Sequence, residues 1–114
     1  MLNYDGKRFR SIANSADGDV GDGTIFEYRQ RKDIVWATYA GGGVRFGTLI
    51  AIADESGQLE MRYQHVSDCG ELRTGRCTSR PSILADGRIR VEETWQWTSG
   101  GNGTGTSVIE ELRE

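Results

Sequence analysis

Apolar and polar positions alternate with a period of two through most of this chain, and no stretch repeats an apolar residue every three or four places for the length of a helix. The clearest case is Ile89-Arg90-Val91-Glu92-Glu93-Thr94-Trp95-Gln96-Trp97. It puts Ile89, Val91, Glu93, Trp95 and Trp97 on one side and Arg90, Glu92, Thr94 and Gln96 on the other. Successive strand side chains point to opposite faces, so this pattern predicts a half-buried strand. A glycine-rich turn over 100–105 and a strand over 106–112 complete a hairpin, with Val108, Glu110 and Leu112 expected on one face.

The same reading predicts six further strands over 7–13, 24–31, 34–40, 44–53, 58–66 and 71–79. Phe9 is expected inward on the first, and Phe26 and Tyr28 on the second. The third is apolar on both faces, with Trp36 and Tyr39 pointing opposite ways. On the fourth, Val44, Phe46, Thr48, Ile50 and Ile52 form the longest apolar row and are expected inside. Leu59, Met61, Tyr63 and His65 are expected inside on the fifth, and Leu72, Thr74, Arg76 and Thr78 on the sixth. Pro81 has no N–H to give a ladder and is expected to end that strand.

Lys32-Asp33, Gly41-Gly42-Gly43, Asp54-Glu55-Ser56-Gly57 and Asp86-Gly87 supply the reversals. Eight strands joined in sequence predict an all-β domain over 1–114, an antiparallel up-and-down barrel. Closure removes both edges, and eight strands leave an interior that side chains fill or that holds one small ligand. A sandwich is the competing architecture.

Polar residues within the inward rows are the candidates for function. Tyr63, His65, Arg76, Glu93 and Glu110 interrupt them, and Arg76, Glu93 and Glu110 fall on neighbouring strands. Buried charges must be paired, so these three are expected to form a network, either closed or turned towards a ligand. Trp95, Trp97, Tyr28 and Phe46 would wall such a pocket. His65 is the one side chain whose ordinary titration suits proton transfer near neutral pH, although a base also needs an orienting partner.

A chain of 114 residues fits one domain, and its net charge of −3 gives no general attraction to nucleic acid or to an anionic membrane. The opening residues lack the apolar run of a secretory signal, which points to the cytoplasm. One histidine and the two cysteines Cys69 and Cys77 make no zinc pattern, and no metal or cofactor is expected; a disulfide between them is left open. Asp17-Gly18-Asp19-Val20-Gly21-Asp22-Gly23 resembles half of a calcium loop, but Tyr28 stands where the closing glutamate belongs, so a solvated turn is expected.

Several runs also resemble a family. Met61-Arg62-Tyr63, Gly70-Glu71-Leu72 with Thr74-Gly75 and Cys77, Trp95-Gln96-Trp97-Thr98-Ser99-Gly100, and Gly105-Thr106-Ser107-Val108-Ile109-Glu110-Glu111 are similar to short bacterial proteins labelled N-acetylglutamate synthase-like. The resemblance implies a calycin-like barrel of the lipocalin-like and avidin-like kind. Its label would imply acetyl transfer from coenzyme A, which needs a strand feeding a helix whose N-terminal amides hold the pyrophosphate. The periodicity supplies no such helix. The expected function is therefore a non-enzymatic barrel that binds a small, partly apolar ligand. The alternatives are proton-transfer chemistry at the barrel mouth, and a homodimeric interaction module using Tyr39, Ile109 and one of Trp36 or Trp97.

Overall fold

A computed structural model describes residues 2–16 and 18–113. Its strands are β1 (Arg8–Asn14), β2 (Ile25–Arg31), β3 (Ile34–Gly41), β4 (Val44–Ala53), β5 (Leu59–Ser67), β6 (Leu72–Ile83), β7 (Ile89–Ser99) and β8 (Thr104–Glu111). Each pairs antiparallel with the next, and β1 closes on β8 from Phe9↔Glu111 to Asn14↔Ser107, giving a closed barrel. The expected all-β meander is therefore the observed one, and closure excludes the sandwich.

One half of the barrel is packed solid. Tyr4, Phe9, Tyr28, Val35, Leu59, Val91 and Ile109 are fully or almost fully buried there. Tyr4 lies before the first strand and plugs that end: its ring stacks on Tyr28 at 5.6 Å, and its hydroxyl donates to the Gly57 carbonyl at 2.6 Å. Burying each such side chain is worth about 1.5–3 kcal/mol, so this layer holds the barrel together and fixes the floor of whatever lies above it.

Three strands present the opposite face from the one expected. On β4 the register shifts between Val44 and Phe46, so Arg45 and Phe46 both face out and Gly47, Leu49 and Ala51 face in. Phe46, Ile50 and Ile52 are consequently exposed at 55%, 59% and 58%. On β6 the inward residues are Gly75, Cys77 and Ser79, while Leu72 and Arg76 face solvent. On β8 they are Ser107 and Ile109, set opposite Glu93 and Val91, while Val108 and Glu110 are partly exposed.

Pro81 does not end β6, which pairs with β7 as far as Ile83↔Ile89. Pairing with β5 has stopped at Leu59↔Ser79, so at Pro81 the strand is an edge on that side, where a missing N–H breaks no ladder bond. The proposed dimer surface does not exist as drawn, because Tyr39, Ile109 and Trp97 are buried and only Trp36 of that set is exposed. Trp36 sits instead in an outer apolar patch, with Trp36↔Ile50 and Ile34↔Ile52 as cross-strand pairs.

Candidate functional site

Above the packed floor the barrel holds a cavity of about 50 Å³. A single water needs about 10–15 Å³ on the same measure, so this is room for a small organic group. The walls are aromatic: Phe26 from β2, Tyr39 from β3, Tyr63 from β5, and Trp95 and Trp97 from β7, with Leu49, Met61 and Cys77 between them. Trp95 and Trp97 lie 5.3 Å apart, and Tyr63 meets Trp97 edge-on at 5.8 Å.

Inward glycines make room for those rings. Tyr39 pairs across strands with Gly47, Tyr63 with Gly75, and Trp95 with Gly105. At all three glycines an added Cβ would fall inside the neighbouring ring. Each ring thus lies flat across a position that only glycine can leave open.

Glu93 forms the polar floor. It is 7% exposed, and its carboxyl oxygens accept hydrogen bonds from Ser107 Oγ at 2.8 Å and, more weakly, from Ser79 Oγ at 3.4 Å. Burial raises its pKa above the ordinary 4.5, and the two serines pull the other way without cancelling that effect. The Tyr28 hydroxyl is buried beneath this level without a hydrogen-bond partner, and burial, then Glu93, pushes its pKa up.

The mouth is covered by the loop between β1 and β2. Asp19 reaches in from that loop and accepts from His65 Nε2 at 2.8 Å and from Arg73 Nη1 at 2.9 and 3.0 Å. Its backbone carbonyl accepts from the Gly43 amide at 2.9 Å, which ties the loop to the β3–β4 turn. Gly18 lies against the Trp95 ring, and Val20 adds an apolar side chain to the cavity wall.

His65 also contacts Tyr39 Oη through Nδ1 at 2.9 Å. In the neutral imidazole Nε2 carries the proton and Tyr39 donates to Nδ1. In the imidazolium Nδ1 donates instead, and the Tyr39 hydroxyl can turn to the Gln64 carbonyl at 3.4 Å. The Arg73 guanidinium stacks 3.7 Å from the Trp97 ring centroid, and its Nε faces Glu71 at 3.7 Å, beyond hydrogen-bonding distance.

The hydroxyl of Tyr39 and the thiol of Cys77 are held protonated by their surroundings. Burial raises the pKa of Tyr39, with Tyr63 and Glu93 adding to it, and burial followed by Glu93 raises that of the Cys77 thiol. Both groups are thereby held in their unreactive protonated forms. Cys69 is exposed and Cys77 buried, and both are free thiols.

Five of the nine residues expected at the site meet there: Tyr63, His65, Glu93, Trp95 and Trp97. Tyr28 is inside but belongs to the packed half. Phe46, Arg76 and Glu110 are outside, so the expected Arg76–Glu93–Glu110 network does not form. Arg76 hydrogen-bonds Gln96 on the outer surface, and Glu110 pairs with Arg90 at 3.0 Å and Arg88 at 3.7 Å. β6 turns Gly75, Cys77 and Ser79 inward, the face opposite to the one its alternation predicts, and this puts Arg76 on the surface. Asp17 of the calcium-like run lies outside the described residues, and Asp19 is engaged by His65 and Arg73.

Tyr39, Asp19, Arg73, Ser79 and Ser107 are the site residues that the pattern alone missed. The three ring-bearing glycines are the signal that points to Tyr39 and to the correct face of β6, since a glycine facing the core of a strand marks a close approach.

A closed eight-stranded up-and-down barrel belongs to the class of fold whose interior either fills with side chains or holds one small ligand, and here an aromatic cavity remains under a loop. A model of the avidin-like protein family matches residues 2–112, and the chain belongs to that family. No curated protein and no solved structure matches the chain. The N-acetylglutamate synthase-like label gains no support: the matching family is avidin-like, and the described residues contain no helix to hold a pyrophosphate.

Proposed function

We propose that this protein binds a small, partly apolar molecule in the cavity between the packed floor and the β1–β2 loop. The fold of the family is consistent with small-molecule binding. The observation that carries the reading is a cavity with aromatic walls and a single acid, Glu93, at its base. Apolar walls with a few converging polar groups are the usual composition of a ligand site. Trp95 and Trp97 supply contact area, Glu93 with Ser79 and Ser107 fixes the polar end, and the Asp19–His65–Arg73 cluster holds the loop over the bound molecule.

A fragment screen of molecules of up to about eight heavy atoms, followed by tryptophan fluorescence, tests this reading. Saturable quenching that disappears when Leu49 is enlarged to Phe, in a variant that still folds, is expected. A screen without any saturable response would overturn it.

A further inference from the structure

Glu93 is an acid without a counter-ion. Its hydrogen-bond partners are the hydroxyls of Ser79 and Ser107, and no Lys, Arg or His side chain pairs with it among the described residues. A buried carboxylate is costly unless a positive charge comes to it. The guanidinium nearest the cavity is already committed at the opposite end, where Asp19 holds Arg73 together with the His65 imidazole.

The walls favour the same sign of charge. Tyr39, Tyr63, Trp95 and Trp97 surround the space above Glu93. Aromatic faces are negative, and a cation within about 6 Å of a ring centroid is attracted to it, more strongly as water is excluded. Trp97 already carries the Arg73 guanidinium at 3.7 Å, so one ring of this set is seen holding a cation. An arriving ammonium would let the buried acid ionise against it, whereas an anion would meet the negative ring faces and a neutral molecule would leave them without a complementary charge.

We propose that the ligand is a small organic cation of the alkylammonium class, its charged nitrogen at Glu93 and its alkyl groups against Tyr63 and Trp95. This rests on the binding reading above and adds the charge of the ligand to it. The cavity of about 50 Å³ sets the size at a branched group of four or five heavy atoms, with anything longer emerging under the β1–β2 loop.

Three probes that share a tert-butyl group and differ in charge separate the possibilities: tert-butylammonium, tert-butanol and the slightly larger pivalate, titrated against the full chain at neutral pH by fluorescence and calorimetry. The ammonium is expected to bind at least ten-fold more tightly than the alcohol, and pivalate not at all. Glu93→Gln should abolish the preference between ammonium and alcohol. Should that variant fail to fold, Trp95→Leu, at a half-buried position, is expected to weaken the ammonium at least five-fold more than the alcohol. Binding of the alcohol as tightly as the ammonium, or a preference left undiminished by the variant, would overturn the charge assignment while leaving the binding reading intact. No binding by any of the three would overturn the ammonium inference, and a blank fragment screen would then remove the binding reading as well.

Discussion

Glu93 concentrates the chemistry of this molecule in one side chain. Its carboxyl is buried with two serine hydroxyls and no cation, and burial holds its pKa above 4.5. Below pH 4.5 the acid is protonated in both the folded and unfolded chains and contributes no pH dependence. Above it the unfolded chain gives up the proton while the folded chain keeps it, so stability falls with rising pH until the folded carboxyl also ionises. Glu93→Gln lacks this liability, and its stability relative to the parent is expected to improve as pH rises from about 4.5. Urea unfolding of both proteins at several pH values checks this, and a constant difference would contradict it.

Asp19 is the other residue on which much depends, since two donor nitrogens, one from β5 and one from β6, make three contacts with its carboxylate. Hydrogen bonds to charged groups are worth about 1.5–3 kcal/mol each, with large overlap when they share one acceptor. Asp19→Asn is expected to cost about 1–3 kcal/mol locally and to speed hydrogen exchange at the Gly43 amide, which bonds the Asp19 carbonyl. Unchanged exchange there would show that the loop is held by something else. Nothing in a strand pattern announces this residue, because its partners are 46 and 54 positions away.

Among the strands, legibility followed the size of the inward side chains. β5 and β7 turn Leu59, Met61, Tyr63 and His65, and Val91, Trp95 and Trp97, into the barrel, and for them period-two alternation gave the correct face. β4 and β6 turn in Gly47 and Ala51, and Gly75, Cys77 and Ser79, because rings from the neighbouring strands occupy the space beside them. Their bulkier residues lie outside, so choosing the more apolar row as the interior inverted both strands. The bulge at Val44 compounds the error on β4 by placing two consecutive residues on one face.

Two substitutions on β4 test the corrected face. Leu49→Ala is expected to lose about 2–3 kcal/mol and Ile50→Thr less than about 0.5 kcal/mol, read from denaturant midpoints. The reverse order would restore the face that apolarity alone suggests. At Gly75, where a methyl group would collide with the Tyr63 ring, Gly75→Ala is expected to destabilise the barrel and to displace that ring from the cavity wall. A Tyr63 side-chain spectrum identical to the parent's would contradict this.

For the molecule as a whole, the division of labour runs along the barrel axis. A packed half, plugged by Tyr4, provides stability, and an aromatic half, closed by the β1–β2 loop, holds the cavity. Strand order and closure were legible because alternation and turn chemistry agreed along the whole chain. The site was legible only in part, since a cavity depends on which faces meet in space. One buried acid was assigned correctly, whereas its supposed partners, Arg76 and Glu110, belong to the outer surface.

Indole N–H resonances of the three tryptophans test the central claim most directly, because Trp95 and Trp97 wall the cavity while Trp36 lies on the outer face. Titration with tert-butylammonium is predicted to shift the Trp95 and Trp97 signals together along one saturation curve and to leave Trp36 unmoved. Shifts confined to Trp36, or none at any of the three, would contradict a site for a small organic cation inside the barrel.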